Sequence, residues 1–264
     1  MRTLAIFGIT GHMGQSLLRA LKEDPTWQLT GAIASAGSRG VGRDAGAPRD
    51  ALGVAITADA DAGVRGAAVA VDFSLAGSVA EHAGACAAAG VPLVVGTTGL
   101  DAAGRAALQQ ASLRIPVLVA ANTSVGVGVM AKLVSLAAAA LGSGFDVEIA
   151  DAHHRLKRDA PSGTALALGD RIAAARGVEL ASVATYDRSG EGAPRRAGSI
   201  GFSAIRAGDI VGEHTVTFAA AGEIVEITHR ATDRIIFARG ALRAAAWLVG
   251  RPAGMYGMEE VLGL

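Results

Sequence analysis

The sequence predicts an α/β chain in two parts, a parallel-sheet domain followed by an α+β domain with a mixed or antiparallel sheet. Three observations predict it. Short β-branched runs alternate with Ala-rich helical stretches over the first 120 residues, which implies a parallel sheet covered on both faces. A glycine-rich turn directly follows the first of those runs. From Ser124 onward the alternation gives way to a long helix and then to β-rich runs close together in sequence.

Taken in order, strands are expected over 4–7, 29–34, 68–73, 93–95 and 117–120, with helices over 14–23, 77–89 and 101–111 between them. Asp101 stands where an N-cap is needed. A helix over 125–141 leads to a strand over 145–153, a polar turn through Asp159, Ala160 and Pro161, and a helix over 163–175. Runs over 199–206, 214–219 and 223–229 are near enough for antiparallel pairing, the last two joined through Ala221 and Gly222. Residues 188–198 lack periodicity and read as a loop, and 234–249 returns to helical periodicity, suited to packing back on the first domain. The division expected is 1–124 with 239–264 for one domain and 125–238 for the other.

Charge and composition exclude several classes. The chain carries 24 Lys+Arg against 24 Asp+Glu, without the basic excess of a nucleic-acid binder. Apolar residues make up 51% and charged residues 18%, unlike a disordered chain. The single cysteine, Cys86, excludes an intrachain disulfide framework and a multi-cysteine metal site, and fits a reducing compartment. The run over 4–7 is too short for a signal peptide. The apolar stretch over 125–141, interrupted by Lys132, is shorter than a membrane span. A cytoplasmic protein with no nucleic-acid or membrane partner is expected.

The turn Gly8, Ile9, Thr10, Gly11, His12, Met13 and Gly14 lies between a strand and a helix. Glycines there let a pyrophosphate approach backbone N–H groups at the helix start, as in a Rossmann-type dinucleotide site. The spacing is G-x-x-G-x-x-G rather than G-x-G-x-x-G, so a plain connecting turn is the alternative. Gly96, Thr97 and Thr98 end one expected strand, and Ala120, Ala121, Asn122 and Thr123 end another. Ligands of open parallel sheets bind beyond such strand ends.

The densest chemistry lies in 148–164. His153, His154, Arg155, Lys157 and Arg158 precede the helix start Ser162, Gly163 and Thr164. Cations beside a helix N-terminus suit an anionic substrate, and a histidine or lysine can move protons near neutral pH. A solvated basic loop is the alternative. No metal is expected, because His153 and His154 point to opposite faces of a strand and no carboxylate or cysteine stands at ligand spacing. His12, His82, His214 and His229 read as structural, and Cys86 as a small buried residue.

These motifs resemble the dihydrodipicolinate reductase family, the 4-hydroxy-tetrahydrodipicolinate reductases of the diaminopimelate route to lysine. The resemblance covers nearly the whole chain. It rests on the glycine turn, on 95–99, on Ala121-Asn122 with 124–127, on 153–165 and on 206–214. It implies His153 as general acid/base, Lys157 as second proton donor, and His154, Ser162, Gly163 and Thr164 as ligands of a small dicarboxylate substrate. It further implies a nicotinamide cofactor, NADPH or NADH, on the loops at Gly8–Met13, 96–98 and 120–123, and a homotetramer built through the second domain's sheet. Three positions depart from the family pattern: His12 in the glycine turn, Thr123 after the asparagine, and Ala34-Ser35 where an acidic residue often binds the ribose. Ser35 and Ser38 with Arg39, and Arg43 beyond, suit a 2′-phosphate, so a modest NADPH preference is expected. The competing readings are another NAD(P)-dependent oxidoreductase of a small dicarboxylate and a non-catalytic nucleotide sensor.

Overall fold

The computed structural model describes residues 1–46, 50–189, 192 and 194–264. The chain forms two compact units, Met1–Val125 with Arg234–Leu264, and Gly126–Asp233. In chain order the elements begin β1 (Arg2–Phe7), α1 (His12–Glu23), β2 (Trp27–Ile33), β3 (Ile56–Thr57), α2 (Ala60–Val64), β4 (Val69–Asp72), α3 (Val79–Ala89), β5 (Leu93–Val95), α4 (Ala102–Ser112) and β6 (Pro116–Val119). Then come α5 (Val125–Leu141), β7 (Asp146–His153), α6 (Gly163–Ala175), α7 (Leu180–Val183), β8 (Ala184–Thr185), β9 (Ile200–Arg206), β10 (Gly212–Ala220) and β11 (Glu223–Ala231). The chain ends with α8 (Ile235–Leu248), β12 (Gly254–Tyr256) and α9 (Met258–Leu262).

The first unit holds a seven-stranded sheet in the order β12-β6-β5-β4-β1-β2-β3, every pairing parallel. Within it runs the doubly wound order 3-2-1-4-5-6, whose strand direction of travel reverses between β1 and β4 and opens a crevice at their carboxyl ends. Side-chain alternation along β1 covers both faces: Leu4 and Ile6 enter one core with Leu17 of α1 and Ala241 of α8, while Ala5 and Phe7 enter the other with Val79, Ala83 and Cys86 of α3. Elements expected over the first 120 residues end within two residues of their expected limits, the usual uncertainty of helix and strand ends. Asp101 caps α4, its carboxylate accepting from the Gly104 N–H at 2.7 Å. The short β3, α2, β12 and α9 carry too few residues for periodicity to announce them.

The second unit has a five-stranded sheet in the order β11-β10-β7-β9-β8. Met130, Val134 and Ala138 of α5, with Leu168 and Ile172 of α6, pack on Val147, Ile149, Phe202, Val216 and Phe218. β10 pairs antiparallel with both β11 and β7, and Gly222 at φ +88° closes the hairpin. The expected antiparallel pairing of β9 is corrected: β9 runs parallel to β7 on the side away from β10. The segment between β9 and β10 is long enough to step across β7, two interstrand spacings of roughly 4.8 Å each.

Two other expectations shift. The return to the first unit comes at Arg234 rather than 239, because Ile235 and Ala238 at the start of α8 are already in its core. The apolar segment judged too short for a membrane span continues to Gly144, and by length and composition Val125–Gly144 could cross one. A short 3-10 turn at Gly142–Gly144 supplies the added length. One face of α5 nevertheless fills the second core. Of the expected loop over 188–198, residues 190, 191 and 193 lie outside the described residues. Arg195 within it is fixed, its guanidinium bonded to Glu148, Asp146 and the Val147 and Ser199 carbonyls.

Candidate active site

At the carboxyl ends of β1 and β4 a cavity of about 410 Å³ is lined by Gly8, Thr10, Gly11, Ile33, Ala34, Ser35, Ala36, Ala58, Phe73, Ser74, Leu75, Ser78, Glu81 and His82. The glycine turn makes room for it. Gly8 has φ +76°, and a Cβ there would stand 2.7 Å from the Phe73 carbonyl oxygen, while one on Gly14 would stand 2.4 Å from the Gly8 carbonyl oxygen. Gly11 is the N-cap of α1 and supplies no side-chain cap, leaving the first N–H groups of a twelve-residue helix for an anion. Turn, cavity and uncapped helix start fit a dinucleotide pyrophosphate.

The expected cofactor residues divide. Gly8, Thr10, Gly11 and Ser35 line the cavity. Ile9 is fully buried in the core and Met13 packs against the same core; His12, Thr98 and Ala121 are exposed, and Ala120 is buried. The Gly96 position is set by packing, since a Cβ there would stand 2.1 Å from the Phe73 ring. Thr97 donates its hydroxyl to Asp72 at 3.1 Å. Asn122 accepts from the Ser124 N–H at 2.9 Å, and Thr123 donates to the Phe237 carbonyl at 2.7 Å. Arg39 is exposed and is not part of the cavity lining. Ser38 lies 3.5 Å from the Thr10 hydroxyl.

His82, read from the sequence as structural, belongs to the cavity wall. Its Nδ1 lies 2.7 Å from the buried Asp72 carboxylate, and its ring stacks on Phe7 at 4.0 Å. Glu81 brings an exposed carboxylate to the same cavity, whereas Ser35 and Ala36 after β2 offer none.

In the second unit the end of β7, the ends of β9 and β10 nearest it and the start of α6 converge. Strand alternation places Asp151 and His153 on one face, and register sets Arg206 of β9 opposite His153 and His214 of β10 opposite Asp151. Asp151 is buried. Its Oδ2 lies 2.7 Å from His153 Nδ1 and accepts from Arg206 Nη1 at 2.9 Å; its Oδ1 accepts from the Ser162 N–H at 3.2 Å. The Ser162 hydroxyl caps α6 by accepting from the Ala165 N–H at 3.1 Å and lies 3.1 Å from His214 Nε2. Gly163 and Thr164 open α6. Lys157 forms an ion pair with Asp159, and half-buried His154 stands beside them at the strand end. Arg155 and Arg158 are exposed.

Burial lowers the pKa of His153; the Asp151 carboxylate opposes this, and the charges of Lys157 and Arg206 reinforce it. His214 is pushed down to about 4, by burial first and then by His153, so it is neutral at pH 7. Cys86 is buried, and burial with the nearby Asp72 pushes its thiol up, leaving it unsuited to nucleophilic work.

Contrary to the spacing expected from the sequence, Asp151 stands at ligand spacing from His153. Ligand atoms of Asp151, His153 and His214 lie within 4.8 Å of one another. A guanidinium, an imidazole and an amide already occupy the oxygens of Asp151, so we read the group as a hydrogen-bonded cluster. Asp151, Arg206 and His214 are the site residues that sequence reasoning passed over. The i, i+2 relation of Asp151 to His153 could have revealed the first; the other two arrive through strand register.

Comparison with known proteins bears on both units. The family model described as dihydrodipicolinate reductase, N-terminus, matches residues 2–123, and that described as its C-terminus matches 126–262. The chain belongs to the dihydrodipicolinate reductase family. It is 50% identical over 262 residues to the 4-hydroxy-tetrahydrodipicolinate reductase of Thiobacillus denitrificans, covering 99% of this chain and 98% of that one. It is 47% identical over 266 residues to the enzyme of that name from Anaeromyxobacter dehalogenans, covering 100% and 98%. The dipicolinate-bound dihydrodipicolinate reductase from Paenisporosarcina sp. TG-14 shares the fold, with TM-score 0.77, 24% identity and coverage of 99% and 100%. This reductase family therefore accounts for the parallel-sheet unit and the mixed-sheet unit of the chain together.

Proposed function

We propose that the protein reduces 4-hydroxy-tetrahydrodipicolinate, through its dehydrated form, to tetrahydrodipicolinate with NAD(P)H. The observation that carries this reading is the Asp151–His153 pair beside Lys157, Arg206 and the capped start of α6. In the balanced reaction, substrate, reduced nicotinamide and a proton give product, oxidised nicotinamide and water. The bound cofactor supplies the hydride. His153 delivers the proton that the reduced ring takes up, and Lys157, as second proton donor, protonates the hydroxyl that leaves as water, a step balanced by release of a ring C–H proton in the dehydration. The N–H groups of Gly163 and Thr164 hold a substrate carboxylate, helped by the helix dipole and by the nearby cations, with His154 and Ser162 completing the contacts. The bound dipicolinate of the Paenisporosarcina enzyme supports a planar dicarboxylate as ligand.

The cofactor domain is assigned to 1–124 with the returning C-terminal segment, the substrate domain to the mixed-sheet unit. Gly8, Thr10, Gly11 and Ser35 meet the cofactor in the cavity, Ile9 and Met13 support the turn from the core, the loops at 96–98 and 120–123 belong to the same cofactor site, and NADPH is used at least as well as NADH. A homotetramer through the second sheet is supported by its face opposite α5 and α6, where Thr215 and Thr228 lie 3.0 Å apart and Thr217 donates to Glu226 at 3.1 Å in exposed settings. Light scattering at micromolar concentration checks it; a monomer contradicts it. A cytoplasmic setting is supported by the single, buried Cys86 and is checked by cell fractionation. The reductase reading is tested by making the unstable substrate in situ from pyruvate and aspartate semialdehyde with the preceding synthase and following the loss of NAD(P)H absorbance.

A further inference from the structure

We propose that Asp151 is a positioning residue for His153, fixing the ring so that Nδ1 carries a hydrogen bonded to Asp151 and Nε2 is the nitrogen that exchanges the proton. The inference rests on the reading of His153 as the proton donor and goes beyond it by assigning the atom and the group that selects it. An ionised carboxylate only accepts hydrogen bonds. Asp151 is buried, its Oδ2 accepting from Arg206 Nη1 at 2.9 Å and its Oδ1 from the Ser162 N–H at 3.2 Å, so both of its oxygens act as acceptors. The ring nitrogen at 2.7 Å from Oδ2 must therefore supply the hydrogen of that bond. In the neutral ring this leaves Nε2 without a hydrogen; in the protonated ring Nε2 holds the proton that is free to leave.

The surroundings favour one ring placement. A Cβ on Gly212 would stand 3.1 Å from His153 Nε2 and 3.4 Å from its Cδ2, so a glycine there keeps the exchanging edge uncrowded. The His214 ring meets the His153 ring edge-on at 5.2 Å. Arg206 is itself fixed, donating to the Asp159 carbonyl at 2.6 Å and the Ile205 carbonyl at 2.8 Å. The charged or titratable groups acting on His153 are Asp151 on its own strand, Lys157 in the following turn, Arg206 on β9 and His214 on β10, with Asp159 paired to Lys157. Asp151 and Arg206 act with opposite sign on the protonated ring.

The experiment compares Asp151→Asn and Arg206→Gln with wild type in the pH dependence of kcat, and reads the His153 tautomer by heteronuclear NMR of protein labelled at histidine nitrogens. With His153 acting as an acid, kcat falls as pH rises through its pKa. Asp151→Asn is expected to move that fall to lower pH, and Arg206→Gln to higher pH, each by about one unit, the lower end of the shift a neighbouring charge produces. Asp151→Glu, which restores the charge, should move it back. The neutral wild-type ring should carry its hydrogen on Nδ1. Shifts in the same direction, an unmoved profile in Asp151→Asn, or a wild-type ring protonated on Nε2 would each overturn the assignment. The last readout needs no variant to fold. If His153→Ala kept wild-type turnover, the proton-donor reading itself would fail; its loss of turnover with any of the overturning results would sink only the role of Asp151.

Discussion

Lys157 Nζ lies 2.8 Å from Asp159 Oδ2 in the turn that follows β7. Burial works against the charge of Asp159, yet the bond from Lys157, with the charges of Lys157 and Arg206, holds its carboxyl below the usual range. The pair orients the ammonium at the end of the strand that carries His153. Lys157→Ala is expected to lower kcat on the order of 100-fold, the usual effect of losing a proton donor. Asp159→Asn should cost less than about tenfold, because a pair with so exposed a carboxylate contributes only about 0–1 kcal/mol. Steady-state kinetics on the two variants checks the order, and a Lys157→Ala enzyme with normal kcat and intact fold contradicts the role of Lys157.

His214 gives the protein a pH-dependent stability. Its folded pKa of about 4 lies below the ordinary histidine value of 6.5, so between those values the unfolded chain binds more protons than the folded one. Stability then rises with pH through that window. The contribution is fully present above pH 6.5 and is lost as pH falls toward 4. Denaturant unfolding at several pH values should show this slope, and His214→Gln should flatten it. An equally steep slope in the variant would contradict the assignment.

Much of the first unit was legible because each strand and helix carries its own period, and because the glycine turn and Asp101 mark their junctions by residue type. The candidate site was legible where chemistry is contiguous, as in 153–164. It was not legible where register does the assembling: Arg206 and His214 reach Asp151 only because β9 and β10 flank β7. The parallel pairing of β9 was hidden for the same reason, since a short connection suggests neighbouring strands. His82 was hidden by its setting in an Ala-rich helix, where nothing in the local sequence reveals the Asp72 carboxylate at its ring.

On the proposed cofactor reading, Glu81 and Arg39 are expected to act in opposite directions on the choice between NADPH and NADH. Glu81 of α3 lines the cavity with Ser35 and Ala36, where a carboxylate would repel a 2′-phosphate, while Arg39, exposed beyond the end of β2 and outside that lining, would attract one. The expected balance is a modest preference for NADPH. Arg39→Ala should lower kcat/KM for NADPH more than for NADH, and Glu81→Gln should raise NADPH use. A clear NADH preference unchanged in Arg39→Ala would rule out a phosphate site at that loop.

The most direct measurement is the coupled assay run with wild type and His153→Ala side by side. The wild-type protein is expected to oxidise NAD(P)H as the synthase delivers substrate. His153→Ala should lower kcat on the order of 100-fold or more, with cofactor affinity little changed because His153 is not among the residues lining the cavity at Gly8. Absence of NAD(P)H loss above background with wild-type protein at high concentration would contradict the account.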